Sequence, residues 1–343
     1  MTTFIEFSQH WLPQIEQEMQ RHLSGEIPEL REMYGMMRYH MGWEDTHGQP
    51  DDAPKGKRLR PLLVLMTCQA AGADPAQALP AAAAVELLHN FSLIHDDIED
   101  RGETRRHRPT VWTWAGDAQA INTGDAMFVL AHQALQRLSQ VDVPAPRVLE
   151  ALRIFDETCL HLTQGQYLDM AFETRDLVSV EAYHLMISGK TAALLSASAR
   201  LGALIAGSPH LDAYRTFGYE VGISFQIEDD ILGIWGEEAL TGKSATGDII
   251  TRKKTLPVLY ALNQSGPDAA TLRALYARPA PLTTDDISTI LALLDKLGAR
   301  AYAQAQGQHH AQAALAALQA TQGHPPTIDM MAAVVRKLIG RKT

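Results

Sequence analysis

Apolar residues recur three and four positions apart in almost every long segment of this 343-residue chain, and that period is the strongest constraint on its fold. Runs of alternating β-branched residues between tight turns, which would indicate a sheet, do not occur. Several periodic segments are rich in Ala and Leu on more than one face, a pattern typical of helices buried among other helices. The sequence therefore predicts an all-α fold.

Proline and glycine mark where these helices begin and end. Pro75 and Pro144 lie near predicted starts, and Gly72 and Gly207 near predicted ends. The predicted helices are 7–23, 59–71, 76–98, 117–138, 146–172, 180–205, 213–235 and 256–263, with several more up to 338. The segments 42–56 and 266–284 are expected to be surface connections. Length alone would suggest about two domains, but we expect a single domain, 1–343, with a motif-bearing core at about 56–262 and C-terminal helices at 268–340.

Composition excludes several classes of protein. With 46% apolar and 20% charged residues the chain can bury a sizeable core, and its formal charge of −10 argues against nucleic-acid partners. Cys68 and Cys159 show no paired spacing, so neither a disulfide framework nor a zinc site is indicated. The N-terminus lacks the features of a secretory signal, and no apolar stretch reaches the length of a membrane span. We expect a cytoplasmic protein.

Four carboxylates lie within five residues at the predicted end of a helix: Asp96, Asp97, Glu99 and Asp100. Carboxylates there oppose the helix dipole, so local preference does not explain them. Asp96 and Asp100 share one helix face, and His89 falls on it too. Because like charges at this spacing repel unless a cation lies between them, the cluster is a candidate site for a hard divalent ion. A solvated helix end is the alternative.

A second acidic pair, Asp229 and Asp230, interrupts an otherwise apolar segment. Unpaired buried carboxylates would raise their pKa or recruit a counter-charge, so a metal or a phosphate–metal complex is favoured here as well. Lys243 and Lys253 follow closely in the sequence. Such neighbours suggest an anionic ligand that is held through both kinds of charge.

Basic residues lie on either side of the first acidic cluster, against the acidic balance of the whole chain. They are Lys55, Lys57, Arg58, Arg60, Arg105, Arg106 and Arg108. Such clusters beside glycines suit phosphate oxygens, and the chain lacks the Walker glycine loop of nucleotide sites. Either run alone could be a solvated loop. Together with the acidic pairs, they predict one or two diphosphates bridged by magnesium.

The order of these motifs resembles that of the trans-type isoprenyl diphosphate synthases, which include the farnesyl and geranylgeranyl diphosphate synthases. The resemblance covers about residues 56–262 and rests on GKRLRP, DDIED, TRRHRPT, GQYLD, SGKTAAL and FQIEDD. It implies a helical bundle of the isoprenoid synthase type with a central active-site cavity, and a homodimer. It also implies condensation of isopentenyl diphosphate with dimethylallyl, geranyl or farnesyl diphosphate, using three Mg²⁺ ions per active site.

The resemblance further implies roles for individual residues. Those implied to bind substrate diphosphates are Lys57, Arg60, His89, Arg105, Arg106, Lys243 and Lys253. Those implied as magnesium ligands are Asp96, Asp100, Asp229 and Asp230, with Asp97 in support. Those implied to lie near the allylic diphosphate and the reacting carbons are Lys190, Thr191, Gln226 and Asp169.

Three positions depart from the family pattern. Gly233 replaces the usual third Asp of the second acidic motif, although some members share that form. His107 replaces the Gly that usually follows the arginine pair, and Lys55 replaces the first Gly of the basic motif. Neither of the last two changes removes a charge that the chemistry requires, but each could alter loop closure.

Product length in the family depends on bulk one turn before the first acidic motif, where Phe91 and Ser92 lie here. With no insertion inside DDIED, the pattern resembles the geranylgeranyl type found in archaea, so a twenty-carbon product is expected. Products of fifteen carbons, or of twenty-five and more, remain open. Helix geometry places Ser92 nearer the acidic face, so the role of Phe91 as the floor of the tunnel rests on the resemblance.

Three other functions are alternatives to this interpretation. A class I terpene cyclase shares the helical fold and an aspartate-rich site, but it binds one prenyl diphosphate and would lack the set Lys57, Arg60 and Arg106. A non-catalytic partner subunit would tend to lose the acidic motifs, whereas the first is complete here. A purely structural helical protein would gain nothing from buried Asp229 and Asp230.

Overall fold

The computed structural model describes residues 3–25, 27–236, 246–278 and 281–339, and in this part of the chain it is almost entirely helical. The elements are α1 (Phe4–Gln20), α2 (Arg31–Met41), α3 (Leu59–Ala70), α4 (Leu79–Glu99), β1 (Thr104–Arg105), β2 (Arg108–Pro109), α5 (Val111–Ala115), α6 (Asp117–Gln136), α7 (Ala145–Glu173), α8 (Val180–Ile187), a π-helical turn (Ser188–Ala192), α9 (Ala193–Ala206), α10 (Leu211–Trp235), α11 (Gly247–Ile250), α12 (Leu256–Leu262), α13 (Pro267–Tyr276), α14 (Thr284–Lys296), α15 (Ala299–Ala320) and α16 (Pro325–Ile339). The predicted all-α class is confirmed.

The chain divides into two compact units. The first comprises Met1–Asp156, Ala197–Leu211 and Gln322–Met330, and the second comprises Glu157–Ser196, Asp212–Thr321 and Met331–Thr343. Each unit is thus assembled from three separate stretches of sequence. The single domain predicted from the helical pattern stays a prediction.

Helix α4 is the central element of the first unit and packs against α1, α3 and α6. Its sequence explains this position, since the run from Pro80 to Leu88 is fully buried and includes four consecutive alanines. Small side chains let neighbouring helices approach closely, and Leu87 and Leu88 supply the apolar area. The acidic end of α4 therefore continues directly from a buried, closely packed segment of the same helix.

The second unit has two apolar clusters. One joins α8, α10 and α12 around Tyr183, Ile227 and Leu259. The other joins α12 to α15 and includes Leu272 and Ile290. Helix α10 spans 25 residues, and its buried face carries Asp230, one of the second acidic pair, into this interior.

One predicted connection is wrong. The segment 266–284 contains α13, which begins at Pro267, a residue suited to the first turn of a helix. Ala269, Leu272 and Leu275 recur at helical spacing and are buried, which stabilises the helix through packing. The prediction gave too much weight to the glycine and prolines at the ends of this segment.

Two sequence observations have direct structural counterparts. Cys68 and Cys159 are both buried, and they are not joined by a disulfide in the described part of the chain. Across the described ranges, none of the helices has the length and apolar character needed to cross a membrane.

Candidate active site

The first basic motif begins in a tight loop and continues into the first turn of α3. Gly56 and Arg58 both have positive φ, at +78° and +46°, so the backbone passes twice through the left-handed region. Lys57 lies between them and is exposed. The Arg58 side chain is buried, and its guanidinium pairs with Glu86 at 2.6 Å and with Glu16 at 2.9 Å. Arg58 therefore points into the protein.

Arg60 lies on α3, and its side chain contacts His89 on α4. Its guanidinium lies 3.3 Å from His89 Nε2, so it donates to that nitrogen and His89 keeps its proton on Nδ1. Burial lowers the pKa of His89 well below its usual range, and Arg60 and Arg106 nearby lower it further. His89 is thus neutral at pH 7. The Nε of Arg60 is buried and has no hydrogen-bond partner within the described residues.

The second basic motif forms the only hairpin in the described ranges, with β1 and β2 paired through Arg105 and Arg108. Arg106 and His107 occupy its turn, both with positive φ. Arg106 lies against the loop at Gly56, where an added Cβ would be 3.2 Å from the guanidinium. Burial, followed by repulsion from Arg58, lowers the pKa of Arg106 to about 10. One of its terminal nitrogens is buried without a partner in the described part of the chain.

The outer arginines of the hairpin have protein partners. Arg105 Nε donates to both oxygens of Asp97, at 2.8 and 3.0 Å. Arg108 stacks on the Tyr39 ring, 4.0 Å from its centroid, and donates to the carbonyls of Tyr39 and Glu44. Arg108 thus anchors the hairpin to α2.

The first acidic cluster separates into two environments. Asp97 is buried, and burial raises its pKa to about 6 although Arg105 opposes the shift. Asp96 is half-buried and Asp100 exposed, one helical turn apart, with the Asp100 amide donating to the Asp96 carbonyl. These two are the better candidates for metal ligands, because Asp97 already receives the guanidinium of Arg105.

The acidic residues fit magnesium in a particular way. Within the described residues, no group of three or more His, Cys, Asp or Glu side chains could hold a metal ion alone. Magnesium commonly keeps several waters and binds one or two carboxylates together with phosphate oxygens of a substrate. The pair Asp96 and Asp100 fits that donor set, so these residues would hold the ion together with a diphosphate.

The two candidate chain-length residues point differently. Phe91 is 9% exposed, and its ring packs against Phe128 and His95 at centroid distances of 5.0 and 4.8 Å. Ser92 is half-buried, and its hydroxyl donates to the His89 carbonyl at 2.8 Å. Phe91 is therefore the bulkier and more deeply buried of the two.

In the second unit, Lys190 and Asp169 form an ion pair of 2.5 Å. Lys190 lies in the π-helical turn, a feature often found at functional sites. Two glycines allow this turn to approach α7: a Cβ at Gly165 would lie 2.1 Å from the Lys190 amide nitrogen, and one at Gly189 would lie 2.5 Å from the His161 carbonyl. The close backbone contact brings Lys190 within reach of Asp169.

A chain of hydrogen bonds links the other predicted residues of this unit. Thr191 donates to Gln226 at 2.7 Å, and the amide group of Gln226 donates to Asp230 at 3.0 Å. Asp230 also accepts from the Tyr183 hydroxyl at 2.5 Å and from the Leu256 amide at 2.9 Å. Protein groups therefore surround the Asp230 carboxylate, and burial raises its pKa to about 6.

Asp229 and Lys253 complete the described part of the second acidic motif. Asp229 is half-buried, unlike Asp230, and is the better candidate ligand of this pair. Desolvation would lower the pKa of Lys253, but Asp230, Asp169 and other carboxylates outweigh it and raise that pKa. Lys253 therefore stays protonated among the acids. The predicted Lys243 lies outside the described residues.

Asp248 lies against Gly233, the position that departs from the family pattern. A Cβ at Gly233 would lie 2.0 Å from an Asp248 carboxylate oxygen. The Asp248 carboxylate thus lies beside Gly233, the position where the family pattern has its third aspartate.

Three residues of these sites were missed in the sequence: Glu86, Tyr183 and Asp248. Glu86 had a detectable signal, because it is an isolated acid within a buried run of α4. Tyr183 and Asp248 had no such signal in the sequence, since Tyr183 contacts Asp230 and Asp248 lies beside Gly233, both outside the local sequence pattern.

Comparison with known proteins gives the family. A model of the polyprenyl synthetase family matches residues 52–294, well over half of the chain. The chain belongs to this family. A (2E,6E)-farnesyl diphosphate synthase of Mycobacterium tuberculosis is 44% identical over 283 residues, covering 81% of this chain and 77% of the relative. A geranylgeranyl diphosphate synthase of the same species is 39% identical over 314 residues, covering 91% and 89%.

A solved structure agrees over nearly the whole chain. The polyprenyl synthetase from Streptomyces coelicolor superposes with a TM-score of 0.87 at 34% identity, covering 97% of each chain. The present chain is therefore a prenyltransferase with the all-α isoprenyl synthase fold, and magnesium use is typical of its family. The names of its relatives specify products of different length, so the comparison does not fix the product length of this chain.

Proposed function

We propose that this prenyl diphosphate synthase elongates an allylic diphosphate with isopentenyl diphosphate to geranylgeranyl diphosphate, acting as a homodimer with three Mg²⁺ ions per site. The observation that carries the substrate assignment is the pair of buried guanidinium nitrogens, on Arg60 and Arg106, that have no partner among the described residues. Buried donors without partners are costly, and a diphosphate would satisfy both.

The residues around this pair suit a nucleophilic substrate held by its diphosphate. Lys57, Arg60 and Arg106 supply positive charge, and neutral His89 accepts from Arg60 and retains an N–H. Fixing the diphosphate holds the double bond of isopentenyl diphosphate in attack geometry, so positioning takes the place of a protein nucleophile.

The allylic substrate needs groups that promote cleavage of its carbon–oxygen bond, whereas the diphosphate of isopentenyl diphosphate only has to be held. In the first unit, Asp96 and Asp100 would hold magnesium, which stabilises negative charge on a departing diphosphate, and Arg105 would add positive charge to it. In the second unit, Asp229 would be the magnesium ligand, and Lys190 and Lys253 would add positive charge to a diphosphate. The departing diphosphate itself would take the final proton.

The allylic cation needs electron-rich groups and protection from water. Thr191 donates its proton to Gln226, so its oxygen presents lone pairs to a neighbouring positive charge. Gln226 is oriented in turn by its bond to Asp230. These fixed dipoles would stabilise the cation without reorganisation.

Phe91 supports the choice of a twenty-carbon product, since it is a large, buried ring one turn before the acidic cluster. Incubation with Mg²⁺, labelled isopentenyl diphosphate and each of dimethylallyl, geranyl and farnesyl diphosphate, followed by chromatography of the products, tests the proposal. The expected end product has twenty carbons. Accumulation of fifteen-carbon product with farnesyl diphosphate unused would identify a farnesyl diphosphate synthase, and products of twenty-five carbons or more a longer-chain one.

A further inference from the structure

We propose that Arg58 is a positioning residue for isopentenyl diphosphate, and that its buried ion pairs with Glu86 and Glu16 set the direction of the ligand-binding side chains beside it. The inference rests on the proposed function, because it takes Lys57, Arg60 and His89 as the diphosphate site. Arg58 itself has no access to a ligand, since its side chain is 2% exposed.

Arg58 is fully engaged by protein groups from three directions. Its Nε donates to Glu16 on α1, one terminal nitrogen donates to Glu86 on α4, and the other lies 3.4 Å from the Met41 carbonyl at the end of α2. The basic loop is thus tied to three helices through one side chain.

The backbone at Arg58 needs such an anchor. Its φ and ψ of 46° and 37° lie in the left-handed region, which side chains other than glycine avoid. The conformation persists only where surrounding contacts impose it. Because Lys57 immediately precedes Arg58 and Arg60 follows two residues later, relaxation at this position would redirect both.

The basic motif contacts α4 at two places, through Arg58 in the loop and through Arg60 in the first turn of α3. Arg58 pairs with Glu86 at 2.6 Å, and Arg60 meets His89 at 3.3 Å. Glu86 and His89 are three residues apart and share one face of α4. The buried ion pair is the stronger contact and fixes the register in which the weaker one forms.

The pair also keeps Glu86 away from the other cations. Glu86 acts electrostatically on Arg60 and Arg106, and Arg58 repels Arg106. Without Arg58, the carboxylate of Glu86 would be available to pair with Arg60 or Arg106, in competition with a diphosphate. Loss of Arg58 would therefore weaken binding of one substrate in particular.

The alternative is that this ion pair only stabilises the fold, and the chain offers a matched control. Arg137 pairs with Glu18 at 2.6 Å, and Glu18 lies two residues from Glu16 on the same helix α1. Arg137 lies in the 3₁₀ turn after α6, far in sequence from the basic loop. Arg137→Met removes an arginine anchor of α1 that is more exposed than Arg58, at 27% against 2% of its side chain, without touching the basic motif.

The test uses the full chain and the variants Arg58→Met, Glu86→Gln and Arg137→Met. KM is measured separately for isopentenyl diphosphate and for the allylic primer, and calorimetry records binding of isopentenyl diphosphate without turnover. We expect Arg58→Met and Glu86→Gln to raise KM and Kd for isopentenyl diphosphate about tenfold, with the allylic KM changed less than about twofold. Arg137→Met should lower Tm and leave both KM values unchanged.

Unchanged affinity for isopentenyl diphosphate in folded Arg58→Met, equal changes in both KM values, or the same change in Arg137→Met would each overturn the inference. If Arg58→Met does not fold, Glu16→Gln decides, because it removes one charge and leaves the Glu86 pair: a rise of about threefold supports the inference and no rise refutes it. Wild-type protein that binds isopentenyl diphosphate but never condenses it would refute the proposed function and leave this binding test intact.

Discussion

Four of the five arginines in the two basic motifs differ in whether protein groups accept their hydrogen bonds. Arg58 and Arg108 use their donors on carboxylates and carbonyls of the same unit. Arg60 and Arg106 each keep a buried nitrogen without a partner among the described residues. The same side-chain type therefore serves the fold at two positions and is suited to an anion at the other two.

Phe91 is the residue through which product length is most directly tested. Phe91→Ala removes a ring that contacts Phe128 and His95, so the product should lengthen if this ring is the floor of the tunnel. Chromatography of the products against wild type measures the change. Both this variant and Phe7→Ala, which empties a buried site on α1, should lose about 3 kcal/mol of stability. Only Phe91→Ala should alter the product, and an unchanged length would remove Phe91 from this role.

Asp97 should behave differently from its neighbours in the acidic cluster. Because it holds Arg105 with both oxygens, Asp97→Asn should lower the free energy of unfolding by about 2 kcal/mol. Asp100→Asn should leave stability nearly unchanged and raise the Mg²⁺ concentration needed for half-maximal activity. Urea unfolding and magnesium titration of activity measure the two effects. Equal stability losses in both variants would contradict this division.

These charged residues could be found from the sequence, but the sequence could not show which of them have protein partners and which are available to a ligand. Asp229 and Asp230 are adjacent and look alike, yet only the structure shows Asp230 taken up by Tyr183, Gln226 and the Leu256 amide. Those partners come from distant parts of the chain, so no local pattern predicts them.

At the scale of elements, the hairpin after α4 stores backbone strain. Its two turn residues, Arg106 and His107, both have positive φ, as a type I′ turn requires. His107→Gly should raise the free energy of unfolding by about 0.5 kcal/mol, because relief of the left-handed conformation slightly exceeds the added entropy of glycine. His107→Val should lower it. Denaturant unfolding of both variants checks the sign, and a gain in His107→Val would contradict the turn assignment.

The contact between α7 and the π-helical turn depends on Gly165. Gly165→Ala places a methyl group against the Lys190 amide, so the turn must move away and the Lys190–Asp169 pair must lengthen. We expect a loss of about 2 kcal/mol in stability and a lower kcat. Gly35→Ala, in the open interior of α2, should instead stabilise by about 0.5 kcal/mol. Unaltered unfolding and activity in Gly165→Ala would refute the close contact.

Helices were predictable where a periodic apolar face is long, as in α4, α7 and α10. The π-helical turn was not, because its local sequence suits an α-helix and the widened turn is set against α7 at Gly165 and Gly189. Helix α13 was missed for a different reason, since the glycine and prolines at the ends of its segment outweighed the helical spacing of its apolar residues in the prediction.

For the whole molecule, we expect two substrates to react and one diphosphate to depart for each bond formed. The motif order and the comparisons establish a prenyl diphosphate synthase, and the arginine, lysine and aspartate contacts within each unit suit two diphosphates. A cyclase would need only the allylic substrate.

Pyrophosphate release in the presence of Mg²⁺ separates these reactions most directly. We expect no release from farnesyl diphosphate alone or from isopentenyl diphosphate alone, and one pyrophosphate for each isopentenyl unit incorporated when both are present. Release from farnesyl diphosphate alone at the same rate, or no release with both substrates and metal, would contradict this expectation.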